Sequence, residues 1–179
     1  MADVPVPFLW LSGAAGVGKS TVAFEIFARL RSAGVPVARV ELDDIGYLRQ
    51  DPAADPGGHL LQARNLASMW PNFRAAGARG LIVSGVVSNR EDIDRYRDAV
   101  PNARLTLCRL EAAPETLRDR ILRRGRLLGV GTPGGITGFT REYLERQAAA
   151  VHCAERLDRE DFADWPARPA DLSAPDHPR

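Results

Sequence analysis

The sequence predicts an α/β fold, a three-layer α/β/α sandwich in which helices cover both faces of a mostly parallel sheet. Three observations carry that expectation. Short apolar runs alternate with amphipathic stretches of helical period over most of the chain. One of the runs, Leu81-Ile82-Val83-Ser84-Gly85-Val86-Val87, is apolar almost throughout, as a strand buried on both faces of a parallel sheet would be. Residues 13 to 20 read Gly13-Ala14-Ala15-Gly16-Val17-Gly18-Lys19-Ser20, which fits G-x-x-x-x-G-K-[ST] without a mismatch and lies between an apolar run and a helical pattern.

A length of 179 residues suits one domain with one core, and 45% apolar with 26% charged content is that of a globular chain rather than a disordered one. The 24 basic and 23 acidic side chains leave a net charge of +1. A general attraction to nucleic acid or anionic lipid is therefore not expected, and any anion binding must be local. Cys108 and Cys153 are far apart and lack metal-ligand spacing, which suits two free thiols in a reducing compartment. The apolar N-terminal stretch carries Asp3 and two prolines and reads as a strand rather than a leader. No run approaches the roughly 18 apolar residues of a membrane span. The expected location is cytoplasmic, with no nucleic-acid or membrane partner; the oligomeric state is not legible.

The elements follow in order. Phe8 to Leu11 is the first strand, and the residues after the Gly-rich loop form a helix from Lys19 to Ser32, with Val22, Ala23, Ile26, Phe27 and Leu30 on its apolar side and Gly34 beyond its end. Pro36 opens a second strand, Val37 to Leu42. Its alternation places Ala38, Val40 and Leu42 on one face, with Arg39, Glu41 and Asp43 on the other. A loop rich in Pro, Gly and Asp, from Asp51 to Gly58, leads to a helix from His59 to Ala76, which Pro71 is expected to kink or end early. Leu81 to Val87 is the third strand, Arg90 to Ala99 a polar helix, and Arg104 to Leu110 a further strand. Pro114 then starts a helix carrying five arginines within nine residues, Arg118, Arg120, Arg123, Arg124 and Arg126. The glycine-rich stretch from Gly125 to Gly138 lacks periodicity and reads as a flap, Thr140 to Leu157 as a last helix, and Asp161 to Trp165 as a weak strand. Residues 1–165 are thus one domain; residues 166–179, with four prolines, read as a disordered tail. Trp10 and Trp70 are expected in the core, and His59, His152 and His177 have no metal-like partners.

Glycines allow the loop to curl so that its N–H groups point inward, where the positive end of the following helix adds to the attraction for an anion. Such a loop holds the phosphates of a nucleotide through Gly13, Ala14, Ala15, Gly16, Val17, Gly18, Lys19, Ser20 and Thr21, with Lys19 on the β- and γ-phosphates and the Ser20 hydroxyl on Mg²⁺. In an open parallel sheet, ligands bind beyond the carboxyl ends of the strands, and the Asp43/Asp44 pair and Ser84/Gly85 map to that edge as well.

On these residues the chain resembles the small P-loop kinases, a group that includes shikimate, gluconate and adenylylsulfate kinases, chloramphenicol phosphotransferase and the nucleoside monophosphate kinases. The resemblance covers Phe8 to Leu157 and rests on the Gly13 to Ser20 loop, the acidic strand end Glu41-Leu42-Asp43-Asp44, the Leu81 to Gly85 strand, and the Arg-rich helix with its glycine-rich continuation. The runs Asp44-Ile45-Gly46-Tyr47-Leu48, Ala63-Arg64-Asn65-Leu66 and Ala75 to Arg79 are also similar to ATP-binding proteins of actinobacterial type. The kinase resemblance implies a P-loop NTPase fold with an Arg-rich LID at about 125–139, ATP and Mg²⁺ as cofactors, and an unidentified small-molecule acceptor. It also implies that Glu41 and Asp43, two residues apart, divide metal and acceptor duties. The absence of an acidic residue after the third strand disfavours a motor ATPase.

Phosphoryl transfer needs its charge neutralised, its acceptor aligned and water excluded. Lys19 with Mg²⁺ on Ser20 and Glu41 serves the first need, and Arg120, Arg123, Arg124 and Arg126 can close over the transferring group. Asp43 is the first candidate for the base that takes the acceptor's proton, with Asp44 close behind; Arg64, Ser84 and Gly85 are candidates for holding the acceptor. The competing expectation is a nucleotide-binding switch that acts through a protein partner.

Overall fold

A computed structural model of the protein describes residues 4–46, 48, 54–87 and 89–127. Among them the order is β1 (Val6–Ser12), α1 (Lys19–Ser32), β2 (Val37–Glu41), α2 (His59–Ala75), β3 (Gly80–Ser84), α3 (Arg90–Ala99), β4 (Ala103–Arg109) and α4 (Pro114–Leu127), with short 3-10 turns at Asp43–Ile45 and Pro56–Gly58. The 125–139 flap beyond Leu127, the expected helix over 140–157, the weak strand over 161–165, the 166–179 tail, His152, Cys153 and His177 lie outside the described residues.

The four strands form one sheet in the order β2-β3-β1-β4, and every pairing is parallel. β1 is therefore central, with Phe8 paired to Leu81 on one side and Leu105 on the other. The chain leaves β1 toward β2 and β3, then crosses back to β4 on the opposite side. That reversal opens a crevice at the carboxyl end of β1, where the Gly-rich loop begins.

Alternation along β1 feeds two cores. Phe8 and Trp10 join Leu66, Trp70, Ile93 and Tyr96 from α2 and α3, whereas Leu11 joins Ala23 and Ile82, with Ile26, Phe27 and Leu30 of α1 packed around them. Helices thus cover both faces, as the three-layer expectation requires. Trp10 is fully buried, its ring edge-on to Tyr96 with centroids 4.5 Å apart, and its indole N–H reaches the Gly85 carbonyl at 3.4 Å. Burial of each such large side chain stabilises the fold by about 1.5–3 kcal/mol. Trp70 is buried with them.

Four expectations need correction. β2 ends at Glu41, because Leu42 turns to helical angles (φ −64°, ψ −36°) and Asp43–Ile45 follow as a 3-10 turn. Asp43 therefore does not continue the pleat that would put it on the face of Glu41. β3 stops at Ser84 rather than Val87, once its partner strand has turned away. Pro71 does not end α2, which runs on to Ala75. The burial of Leu66 and Trp70 in the turn before it outweighs the cost of roughly 3 kcal/mol for an interior proline, whose own ring is exposed. Val22, assigned to the apolar side of the first helix, is 37% exposed. The start of α2 is held from outside the helix: the Asp55 carboxylate accepts from the N–H groups of Leu60 and Leu61 at 2.9 and 3.0 Å.

Candidate functional site

The loop after β1 is built on left-handed backbone at Gly13, Gly16 and Gly18, with φ of 135°, 82° and 107°. Gly13 has a second constraint, since a Cβ there would lie 2.4 Å from the Leu110 carbonyl oxygen at the end of β4. Gly18 stands at the N-cap of α1, so the first turn of the helix, with Ser20 and Thr21 exposed on it, faces the loop's interior. Beneath the loop, Ala14 and Val17 are buried against Leu117 and Ile121 of α4. Apolar packing between distant segments therefore sets the loop's shape.

Two cations lie on this loop. Lys19 folds back so that its ammonium donates to the carbonyls of Gly13 (2.9 Å) and Ala14 (3.2 Å). Arg120 comes from α4 and donates to the Val17 carbonyl at 3.2 Å, with the Gly16 carbonyl at 3.5 Å. The other arginines differ. Arg123 pairs with Asp119 at 2.9 Å on the exposed side of its own helix, and Arg124 is exposed. The side chain of Arg126 lies outside the described residues.

At the neighbouring strand ends, Glu41 and Ser84 face each other across the β2–β3 pairing. The Ser84 hydroxyl is fully buried and donates to the Glu41 carboxylate at 2.8 Å, to which Arg39 also donates at 3.3 Å. Ser84 therefore holds Glu41 and does not face outward toward an acceptor. Gly85 is likewise committed: its N–H donates to the Leu11 carbonyl at 3.2 Å, and a Cβ would overlap Leu42 at 2.6 Å. Asp43 and Asp44 are exposed on the 3-10 turn, which α2 steadies through a bond from Asn65 Nδ2 to the Ile45 carbonyl at 2.7 Å. Arg64, beside Asn65, is exposed. Among the described residues no group of three or more His, Cys, Asp or Glu side chains could hold a metal ion by itself, and no helix is long and apolar enough to cross a membrane.

One polar cluster has no counterpart among the sequence candidates. Between α2 and α3, His59, Gln62, Asp92 and Tyr96 are all buried. The Tyr96 hydroxyl donates to Gln62 Oε1 at 2.6 Å and lies 3.2 Å from His59 Nδ1, while His59 Nε2 faces Asp92 Oδ2 at 3.6 Å. Arg95 donates to the other Asp92 oxygen at 2.8 Å. Burial, then the carboxylates of Asp92, Asp55 and Asp43, push the Tyr96 phenol well above its ordinary range. The only sequence signal was spacing, with His59/Gln62 and Asp92/Tyr96 each about one helical turn apart.

No protein-family model matches the chain, and no curated protein matches it. Solved structures do. A protein described as a kinase from Chloroflexus aurantiacus aligns with a TM-score of 0.55 at 16% identity, covering 83% of this chain and 78% of that one. A sugar kinase from Janibacter aligns with a TM-score of 0.52 at 16% identity, covering 89% and 94%. A chain of the Pnkp1/Rnl/Hen1 RNA repair complex aligns with a TM-score of 0.51 at 18% identity over 87% of this chain, which spans 47% of that longer one. At such identities the likeness is one of architecture. The protein has the parallel α/β fold of the P-loop kinases, with its Gly-rich loop at the carboxyl end of the central strand.

Proposed function

We propose that the protein is an ATP- and Mg²⁺-dependent phosphotransferase that moves the γ-phosphate to a hydroxyl or phosphate group of a small molecule. The observation that carries this reading is the convergence of Lys19 and Arg120 on one glycine loop, from segments 101 positions apart, counting from 19 to 120. Two cations on a cradle of backbone N–H groups suit a polyanion whose charge shifts during reaction.

The residues fit a nucleotide and its metal. Three left-handed glycines shape a loop that a Cβ at Gly13 would disrupt, and the exposed Ser20 hydroxyl stands on the first turn of α1. Ser20 and Glu41 would hold Mg²⁺, a cation that usually takes one or two protein oxygens and completes its shell with phosphate and water. When bound, it supplies charge neutralisation. Lys19 would exchange the carbonyls of Gly13 and Ala14 for phosphate oxygens, and Arg120 would turn from Val17 toward the transferring group. Asp43 would orient the acceptor and take its proton, with Asp44 as the alternative on the same turn. Arg64, exposed on α2, would contact the acceptor, and Ser84 and Gly85 would act from beneath, by fixing Glu41 and the end of β3. Closure of the 125–139 segment with Arg124 would complete the site, in a cytoplasmic enzyme.

ADP release measured across a panel of hydroxylated metabolites, nucleotides and aminoglycosides tests the reading. Acceptor-dependent ADP formation that requires Mg²⁺ is expected. Absence of ATP binding by calorimetry on folded protein, or turnover indifferent to every acceptor, would overturn it.

A further inference from the structure

Among the described residues β2 is an outer strand of the sheet, paired on one side to β3. Which of its backbone groups point outward follows from the ladder. The Leu42 N–H donates to the Ser84 carbonyl at 2.9 Å and the Pro36 carbonyl accepts from Arg79 at 2.7 Å, so the even-numbered positions turn toward β3. The residues between them turn the other way. The N–H and C=O groups of Val37, Arg39 and Glu41 therefore lie along the outer edge, a template for a further strand.

That edge runs through an apolar groove of about 420 Å³, which crosses from one helical layer to the other. Phe24 and Phe27 of α1 line one bank, Phe73 and Ala76 at the end of α2 line the other, and Val37 lies between them. Phe24 is 57% exposed, and Val35, ahead of β2, is 41% exposed. Apolar exposure of this kind beside a groove marks a contact surface. An exposed ring next to a groove lined by other rings supplies both the knob and the hole of one contact. A patch that carries both can close on a second copy of itself about a twofold axis.

Charge selects the register. Arg39 lies over the Phe24 ring, 5.9 Å from its centroid, and donates to Glu41 Oε2 at 3.3 Å, so both charged groups share the α1 side of the sheet. Antiparallel pairing of β2 with the same strand of a second copy, with Val40 on the axis, joins the outward-facing residues and sets each Arg39 opposite the partner's Glu41. A guanidinium has five N–H donors, so one Arg39 can serve both carboxylates. A register centred on Arg39 would instead set two guanidinium groups face to face, which is destabilising. Pairing of Val37–Glu41 alone would be small beside the roughly 1,200–2,000 Å² that stable interfaces bury. The Phe24 and Val35 surfaces of both copies extend it.

We propose that the β2 edge and its groove form a homodimer interface, in which two β2 strands pair antiparallel about Val40 and make one sheet continuous across two copies. Such pairing needs no nucleotide and stands apart from the phosphotransfer reading.

Sedimentation of the full chain from micromolar to near-millimolar concentration, with amide hydrogen exchange at both ends of that range, is the test. Twice the monomer mass is expected in the concentrated protein, where the Arg39 and Glu41 amides should exchange at least about 10-fold more slowly than in the dilute one. Phe24→Asp should weaken the dimer by about 30-fold or more, as loss of a central anchor does. Arg39→Glu should do the same by setting like charges opposite each other. Mixed with Glu41→Lys, which should also be monomeric, it should recover a heterodimer. Circular dichroism checks that each variant folds, and Phe24→Asp, an exposed position, carries the test if a charge variant does not. A monomer at every concentration, or a dimer indifferent to either Phe24→Asp or Arg39→Glu, would overturn the proposal. Protection of the Arg39 and Glu41 amides in a protein that stays monomeric would also overturn it, by giving the edge to another occupant.

Discussion

Arg120 donates to the Val17 carbonyl at 3.2 Å across 103 positions of sequence. The bond exists because Leu117 and Ile121, on either side of Arg120 in α4, are buried against Ala14 and Val17 of the loop. Apolar packing thus aims a cation. Replacement of Arg120 by Ala should lower the rate of phosphotransfer by about 10²–10³-fold, the usual effect of removing one charge-stabilising donor. Arg123→Ala should change it only a few-fold at most, because Arg123 is spent on exposed Asp119. Comparison of kcat for the two variants checks the assignment; equal losses would refute it.

Asp43 and Asp44 share a turn and are both exposed, and the carboxylate of Asp43 is among those that raise the Tyr96 phenol. Asp43→Asn is expected to reduce acceptor phosphorylation by about 10²–10⁴-fold, as for loss of a general base, and Asp44→Asn by much less. Rates for both variants at saturating ATP decide between them. The reverse ranking would move the base to Asp44.

Ser84 is the buried donor to Glu41, and hydrogen bonds to charged groups contribute about 1.5–3 kcal/mol. Ser84→Ala should therefore lower unfolding free energy by an amount of that order in a urea titration. It should also raise the Mg²⁺ concentration needed for half-maximal activity, since Glu41 would be left with Arg39 alone among its observed donors. An unchanged Mg²⁺ requirement would separate Glu41 from the metal.

Gly13 and Gly18 both have positive φ, yet their surroundings differ. A methyl group at Gly13 would meet the Leu110 carbonyl at 2.4 Å, whereas at Gly18 it would meet nothing within 4 Å. Gly18→Ala should cost about 1–3 kcal/mol from backbone strain alone. Gly13→Ala should cost more and displace β4 from the loop. Denaturation midpoints of the two variants test the ranking.

Tyr96 makes stability depend on alkaline pH. Its folded-state pKa lies above the ordinary value of 10.0, so the folded protein holds a proton that the unfolded chain releases. The stabilisation is complete below that value and is lost as pH rises past it. Tyr96→Phe should flatten the stability curve above about pH 10 while lowering stability near neutrality, through the lost bond to Gln62. A parental slope in the variant would assign the alkaline loss to another group.

Local pattern alone was enough to read the strand, glycine loop and helix from Phe8 to Ser32, the helix over 90–99 and the arginine-bearing helix from Pro114, because periodicity and turn chemistry are properties of neighbours in the chain. It was enough, too, to nominate Lys19, Ser20 and Arg120 through residue type and spacing. What needed the folded chain were relations between distant segments: the turn that removes Asp43 from the pleat of Glu41, the burial that commits Ser84 to Glu41, the survival of α2 through Pro71, and the meeting of His59 with Asp92 and Tyr96. Each depends on which surfaces pack together, and a hydrogen-bond partner on another helix leaves no periodic trace in the sequence around it.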